Sequence, residues 1–257
     1  MLSELPLLFI AGLLGGMLNS IAGGGTFITF PSLLFAGVPP ISSNATNTFA
    51  SCSGYISGAY AFRKELYAQI NELPKYILIS LPGGIAGAWL LLQTPESLFR
   101  EAIPWLLLFA TILFVFGSRL HDTFRQFASL HRHASSIGSL LLLLMLVGVC
   151  IYGGFFNAGL GIIILSYLAL AGHTNINSMN GLKLLISTCV SLAAIALFIY
   201  NGEIAWFEGS IVLLGTLMGG YIAARISRQV SQVYVRNIVA LTGASITLYF
   251  FYDIYVV

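Results

Sequence analysis

Charge is what this sequence has least of. Its 257 residues carry 11 Lys and Arg and 9 Asp and Glu, so 8% are charged while 58% are hydrophobic. A soluble globular chain holds about 25% charged residues, because its surface must be wetted. With a mean hydropathy of +0.91, the apolar surface must face lipid, which excludes a water-soluble domain of ordinary kind. The basic residues form no cluster that would bind nucleic acid. Cysteine is also scarce: Cys52, Cys150 and Cys189 lie inside apolar stretches at no metal-ligand spacing and read as small buried hydrophobes. Nothing in the pattern calls for a metal or another cofactor. The start, Met1-Leu2-Ser3-Glu4, has an acid where a secretory signal peptide has its basic region, so the first apolar stretch reads as a retained membrane helix.

Acid is missing from the apolar stretches themselves. These fall at 5–21, 26–37, 44–62, 73–92, 99–118, 137–156, 160–172, 180–200, 209–226 and 233–254, and no Asp or Glu occupies the middle of any of them. A helix needs about 20 residues to cross a bilayer. Segments 26–37 and 160–172 are too short, and each follows a glycine break, Gly23-Gly24-Gly25 or Gly159-Leu160-Gly161. Short helices beside such breaks predict half-helices or re-entrant hairpins whose loose backbone is covered by protein.

What the sequence does have is a duplication. With an offset of 136 residues, 18 of the 92 positions from Gly23 to Phe114 are identical to their partners from Gly159 to Phe250, without a gap. Asn44 meets Asn180, Gly25 meets Gly161 and Arg100 meets Arg236; at an offset of 138, Asn19 meets Asn157. The expected architecture is therefore all-α and polytopic: a first membrane repeat over 1–118, a basic linker over 119–136 and a second repeat over 137–257. An odd number of crossings per half makes the second repeat inverted relative to the first.

Charge placement supports that parity. Loops 63–75, 119–136 and 225–236 hold nine of the eleven Lys and Arg: Arg63, Lys64, Lys75, Arg119, Arg125, Arg132, Arg225, Arg228 and Arg236. The positive-inside rule puts these loops in the cytoplasm and both termini outside. Glycines at four-residue spacing (12/16, 54/58, 83/87 and 215/219) predict closely packed helices.

Polar side chains in membrane segments are costly and point to a site. Asn19 precedes the first break, and Asn44-Ala45-Thr46-Asn47 lies in the third segment. Asn157 precedes the second break, and Asn180-Gly181-Leu182-Lys183 repeats the pattern with Lys183 where the first half has Asn47. The asparagines could instead be helix caps, but their recurrence in register beside the breaks favours binding. Lys183, with no acid nearby in sequence, would add its charge to the positive end of a helix starting near Asn180 and attract a small anionic solute, unless it snorkels to the interface. Amides of Asn44, Asn47 and Asn180 and N–H groups near Gly25 and Gly161 would supply the remaining donors. A passive anion channel is the alternative, and the oligomeric state is not readable from sequence. An intramembrane hydrolase built on Ser51-Cys52-Ser53-Gly54 with His173 as base is a remoter reading, since no nucleophile elbow is present. His121, His131 and His133 in the basic linker read as solvated rather than metal-bound.

From Gly12 through Asn19 to Gly25, and again at Asn44-Ala45-Thr46-Asn47, the chain resembles the TauE/SafE sulfite-exporter family. Gly153 to Gly161 and Asn180 to Lys183 repeat the resemblance, which thus covers nearly the whole chain. It implies a prokaryotic plasma-membrane transporter for sulfite, sulfonates or related sulfur compounds. The second break departs from the first, with Leu160 between its glycines.

Overall fold

Lipid leaves a chain of this composition few options, because backbone polar groups must pair internally. The computed structural model describes residues 4–21, 24–130, 136–226 and 232–256, and these are helical with short connections. The first half comprises α1 (Leu5–Ile21), α2 (Thr26–Phe35), α3 (Pro40–Ala61), α4 (Arg63–Tyr67), α5 (Leu73–Gln93) and α6 (Glu96–Leu130). The second comprises α7 (Ser136–Phe155), α8 (Leu160–Leu170), α9 (Ile176–Tyr200), α10 (Trp206–Ile226) and α11 (Gln232–Tyr255). Among the described residues, six helices are long and apolar enough to cross a membrane: Leu73–Gln93, Glu96–Phe116, Gly138–Phe155, Ile176–Tyr200, Trp206–Ala223 and Asn237–Tyr255. Helix α3 has the length, at 22 residues, but not the apolarity. Ser43, Asn44, Thr46, Asn47, Thr48 and Ser51 are all buried along it.

Both short helices fold back on the helix before them. Gly15 of α1 faces Gly25 and Thr29, and Gly153 of α7 faces Leu160, so each pair is an antiparallel hairpin closed by a glycine break. Packing between the halves is reciprocal. Helix α1 lies on α10 as α7 lies on α5, and α2 meets α11 as α8 meets α6. The repeat-related helices α3 and α9 lie side by side. Gly58 faces Leu184 and Gly181 faces Phe62, so numbers fall on one as they rise on the other and the two run antiparallel. Thr111 and Thr247, partners at the 136-residue offset, have hydroxyls 3.4 Å apart.

The 12/16, 83/87 and 215/219 glycines do the packing expected of them, whereas a Cβ at Gly54 would meet nothing nearer than 3.9 Å and one at Gly58 only the Leu184 side chain. A Cβ at Gly12 or Gly16 would overlap the backbone of Val212 or Thr216, and one at Gly215 or Gly219 would overlap Phe9 or Leu13. Gly84 and Gly87 meet Val190 and the Ile151–Phe155 turn in the same way. Only glycine lets these backbones touch.

Three expectations need correction. Helices α3 and α9 begin earlier than 44 and 180, because Pro40 occupies the first turn of one and the Asn175 side chain caps the other by accepting from the N–H groups of Asn177 and Ser178. None of the proposed site asparagines is thus the cap of α3 or α9. The 119–136 linker is mostly a continuation of α6, since no Gly or Pro interrupts residues 119–130. Loop 63–75 contains the short helix α4. The side chains of Arg119, Arg125, Arg132, Arg225, Arg228 and Arg236, and of His121, His131 and His133, lie outside the described residues.

Candidate functional site

The second break holds the centre of a polar cluster. Gly159 takes φ 75°, the left-handed conformation that glycine alone adopts without strain, and turns the chain into α8. Asn157, in that turn, is only 2% exposed, and both ends of its amide are bonded. Its Oδ1 accepts from the Tyr55 hydroxyl at 2.8 Å and its Nδ2 donates to Ser191 Oγ at 3.1 Å. Asn19, from the first hairpin, borders the same Tyr55 hydroxyl. Tyr55 on α3 and Ser191 on α9 are repeat partners at the 136-residue offset. Two asparagines from the hairpins and two hydroxyls from the central helices thus converge.

Beside this cluster is a cavity of about 20 Å³, lined by Asn19, Gly24, Thr26, Tyr55, Asn157, Gly159, Gly161, Lys183 and Ser187. That is roughly the room one water needs. The Lys183 stem runs past Gly161, where a Cβ would sit 3.3 Å from its Cδ, and Nζ donates to Asn180 Oδ1 at 3.1 Å. Among the described residues, ion pairs are found at Arg100–Asp253 and at His173–Glu72, and none reaches Lys183. Lys183 is the eighth residue of α9, two turns in. Its charge therefore does not reinforce the helix start, as the sequence reading expected; it faces the hairpin break instead.

Asn19, Asn157, Gly24, Gly159, Gly161 and Lys183 are brought together, and Asn180 joins them through Lys183. Gly25 starts α2 and accepts from Thr29, its carbonyl 3.1 Å from the hydroxyl. Asn44, Thr46 and Asn47 lie elsewhere on α3. Asn44 Nδ2 donates to the Phe155 carbonyl at 2.9 Å, Asn47 Oδ1 accepts from Thr29 at 2.5 Å, and Thr46 Oγ1 accepts from the Ala205 N–H at 3.0 Å. Asn44 Oδ1 and Asn47 Nδ2 are buried without a partner. These residues tie α3 to both hairpins and to the α9–α10 connection rather than lining the cavity. Gly23 lies outside the described residues. Tyr55, Ser187 and Ser191 escaped the sequence reading. The offset pairs Tyr55 with Ser191, but the two differ, so no repeated identity marks them.

His173 is not brought to the serines of α3. It bonds Tyr76 instead, and Ser53 donates to its own helix at Ala50, so this histidine and these serines do not form the expected nucleophile–base pair.

Two wider cavities lie at the α2–α3 connection. One, of about 790 Å³, reaches Phe35, Glu96, Arg100, Glu101 and Asp253; the other, of about 260 Å³, reaches Gly37, Ser42, Glu203 and Glu208. Among their charged lining residues, carboxylates outnumber the one cation, Arg100.

Paired hairpins, crossing helices packed through glycine and a polar cluster buried at the breaks define a polytopic membrane protein of the transporter class. Residues 8–250 match the family model described as "Sulfite exporter TauE/SafE", and the chain belongs to that family. It is 27% identical over 252 residues to the "Probable membrane transporter protein YfcA" of Escherichia coli K12, covering 97% of this chain and 90% of that one. A "Probable membrane transporter protein" of Haemophilus influenzae is 27% identical over 250 residues, covering 97% and 95%. A third, "ORF9" of a Sinorhizobium species, is 25% identical over 245 residues, covering 95% and 91%. No solved structure matches the chain.

Proposed function

We propose that this transporter is a carrier for a small oxyanion (sulfite, a sulfonate or a related organosulfur compound) across the plasma membrane, with Lys183 as the charge that receives it. The observation that carries the reading is the position of Lys183. Among the described residues it has no carboxylate partner, and it is set beside the second break, lining a cavity shared by both hairpins. An oxyanion entering a membrane gives up hydration that one hydrogen bond cannot return, so it needs a charge and several donors. Lys183, the amides of Asn19 and Asn157 and the Tyr55 and Ser187 hydroxyls are at hand. Tyr55, Asn157 and Lys183 already donate to protein acceptors, and the cavity has room for about one water. Solute entry therefore requires rearrangement, which favours a carrier over a passive channel.

Reciprocal packing and the antiparallel α3–α9 pair support a two-fold inversion between the halves. On this reading Asn44 and Asn47 form the outer counterpart of Asn180 and Lys183, and the solute meets them as the hairpins part. The same reading has loops 63–75, 119–136 and 225–236 in the cytoplasm and both termini outside. An Ala128→Cys protein that reacts strongly with an impermeant thiol reagent added to intact cells would contradict that topology.

The decisive measurement is sulfite or sulfonate binding and counterflow in proteoliposomes. Lys183→Met keeps the stem and removes the ammonium, so affinity should fall by about 1.5–3 kcal/mol. Lys183→Arg should bind yet move the solute slowly, because a forked guanidinium holds an oxyanion elsewhere. Parent-like binding and counterflow by Lys183→Met would overturn the assignment.

A further inference from the structure

The α8–α9 connection, residues 171–175, joins the second hairpin to the helix that carries Lys183. At its centre His173 crosses to the other half of the molecule. Nε2 is 3.0 Å from the Tyr76 hydroxyl and 3.4 Å from Glu72 Oε2, both at the start of α5. The imidazole side chain is only 12% exposed, whereas that of Glu72 is 52% exposed.

Repeat symmetry gives this contact a comparison. At the 136-residue offset Glu72 corresponds to Glu208, an identity, while His173 corresponds to Gly37. Gly37 and Glu208 border the cavity of about 260 Å³ at the α2–α3 connection. The equivalent place in the second half is filled by an imidazole bonded across the halves. The first connection is instead held across the halves beside its cavity by Ser42, which donates to Glu203, a contact without an imidazole.

We propose that His173 is a pH-operated latch: as a neutral ring it fastens the α8–α9 connection to α5, and as a cation it leaves for water and releases the base of the second hairpin. The groups facing it decide the sign. Glu72, just before α5, and Lys75 and Tyr76 in its first turn face it; Tyr167 of α8 stands beside Glu72 and Tyr76, and the first turn of α9, Ile176–Met179, contributes no titratable side chain. A neutral ring protonated on Nδ1 takes the single Tyr76 hydrogen at Nε2. A charged ring would have to donate there, while the carboxylate beside it, Glu72, is half in water and weakened by that exposure. The Tyr167 hydroxyl is buried without a partner of its own. Burial holds His173 below its ordinary value, with Glu72 acting in the opposite direction and Lys75 adding to the depression. A base that binds its proton less readily when fastened than in water is driven towards the released form as pH falls.

The latch can be tested without any solute, so its failure and that of the anion reading are separable. A spin label at Thr174→Cys reports motion of the exposed connection, the three native thiols being buried. In the full-length protein in proteoliposomes, acidification from about pH 7.5 to about 5.5 should raise the mobile fraction several-fold. His173→Gln should abolish that response. Glu72→Gln should move the midpoint to lower pH and Lys75→Gln to higher pH, because the carboxylate favours the cation and the ammonium opposes it. A parent protein without a pH response, an undiminished response in His173→Gln, or midpoint shifts in the reverse directions would overturn the proposal. If His173→Gln does not fold, the two flanking variants decide alone.

Discussion

Helices α3 and α9 occupy matching places in the two halves and run antiparallel in contact, yet their chemistry differs. Where α3 presents Asn47, α9 presents Lys183; where α3 presents Tyr55, α9 presents Ser191. The first helix is polar along its buried face and ties both hairpins to itself. The second is apolar enough to cross a membrane and keeps one ammonium for the cavity. A scaffold duplicated for packing does not require duplicated charge. A single cation can offset a monovalent anion, whereas transport also needs the solute to leave, and binding that is too favourable prevents release.

The sharpest way to test the equivalence of the halves is through their glycine contacts. Gly219→Val drives a side chain into the Leu13 backbone at the α1–α10 contact, and Gly87→Val does the same against Ile151 at α5–α7. Each should destabilise the protein by about 3 kcal/mol or more, because backbone rather than a side-chain tip must yield. Gly148→Ala, with open space around it, should be tolerated. Thermal unfolding of purified protein in detergent checks all three. A large effect at one contact and none at the other would break the comparison.

Next in size is the charge itself. On the proposed anion reading, Lys183→Asn, which gives α9 the residue that α3 has at this position, should cost about 1.5–3 kcal/mol of oxyanion affinity. The reverse kind of edit, Asn47→Ala, removes an amide from the uncharged half and should cost about 1 kcal/mol. Titration of each variant with sulfite, by calorimetry or tryptophan fluorescence, orders them. Equal losses would mean that both half-sites contribute alike and that the charge has no special part.

Smaller still is the clasp around Asn157. Tyr55→Phe removes the hydroxyl that reaches both hairpins, leaving a buried amide oxygen without its donor, and should lower stability by about 1–3 kcal/mol at most, nearer the low end if water enters the adjoining cavity. Ser191→Ala removes only the acceptor for the amide nitrogen and should cost about 1 kcal/mol. Unfolding midpoints measured side by side would show whether the two helices share the clasp equally.

Much of this was written locally. The short segments, the breaks at Gly23-Gly24-Gly25 and Gly159-Leu160-Gly161, and the repeat all follow from residue spacing, because a helix has a fixed rise and glycine runs interrupt it. Helix starts were less legible. A helix was expected to start near Asn180, but Asn175 has the extended backbone and the side-chain bonds that a cap needs.

The amino-acid sequence by itself determined that the chain lives in lipid, that it is helical and duplicated, and that a lone lysine and a set of asparagines stand near two broken helices. Scarcity of charge and the cost of an unpaired backbone in hydrocarbon dictate those features without reference to distant residues. Tertiary structure alone decided which of them share a cavity. Tyr55 finds Asn157 across 102 positions and Tyr76 finds His173 across 97. Asn44 and Asn47 turn to Phe155 and Thr29 instead of the lysine. A side-chain hydrogen bond depends on ångström-scale placement of helices that meet only after packing, and glycine contacts set that placement one backbone against another.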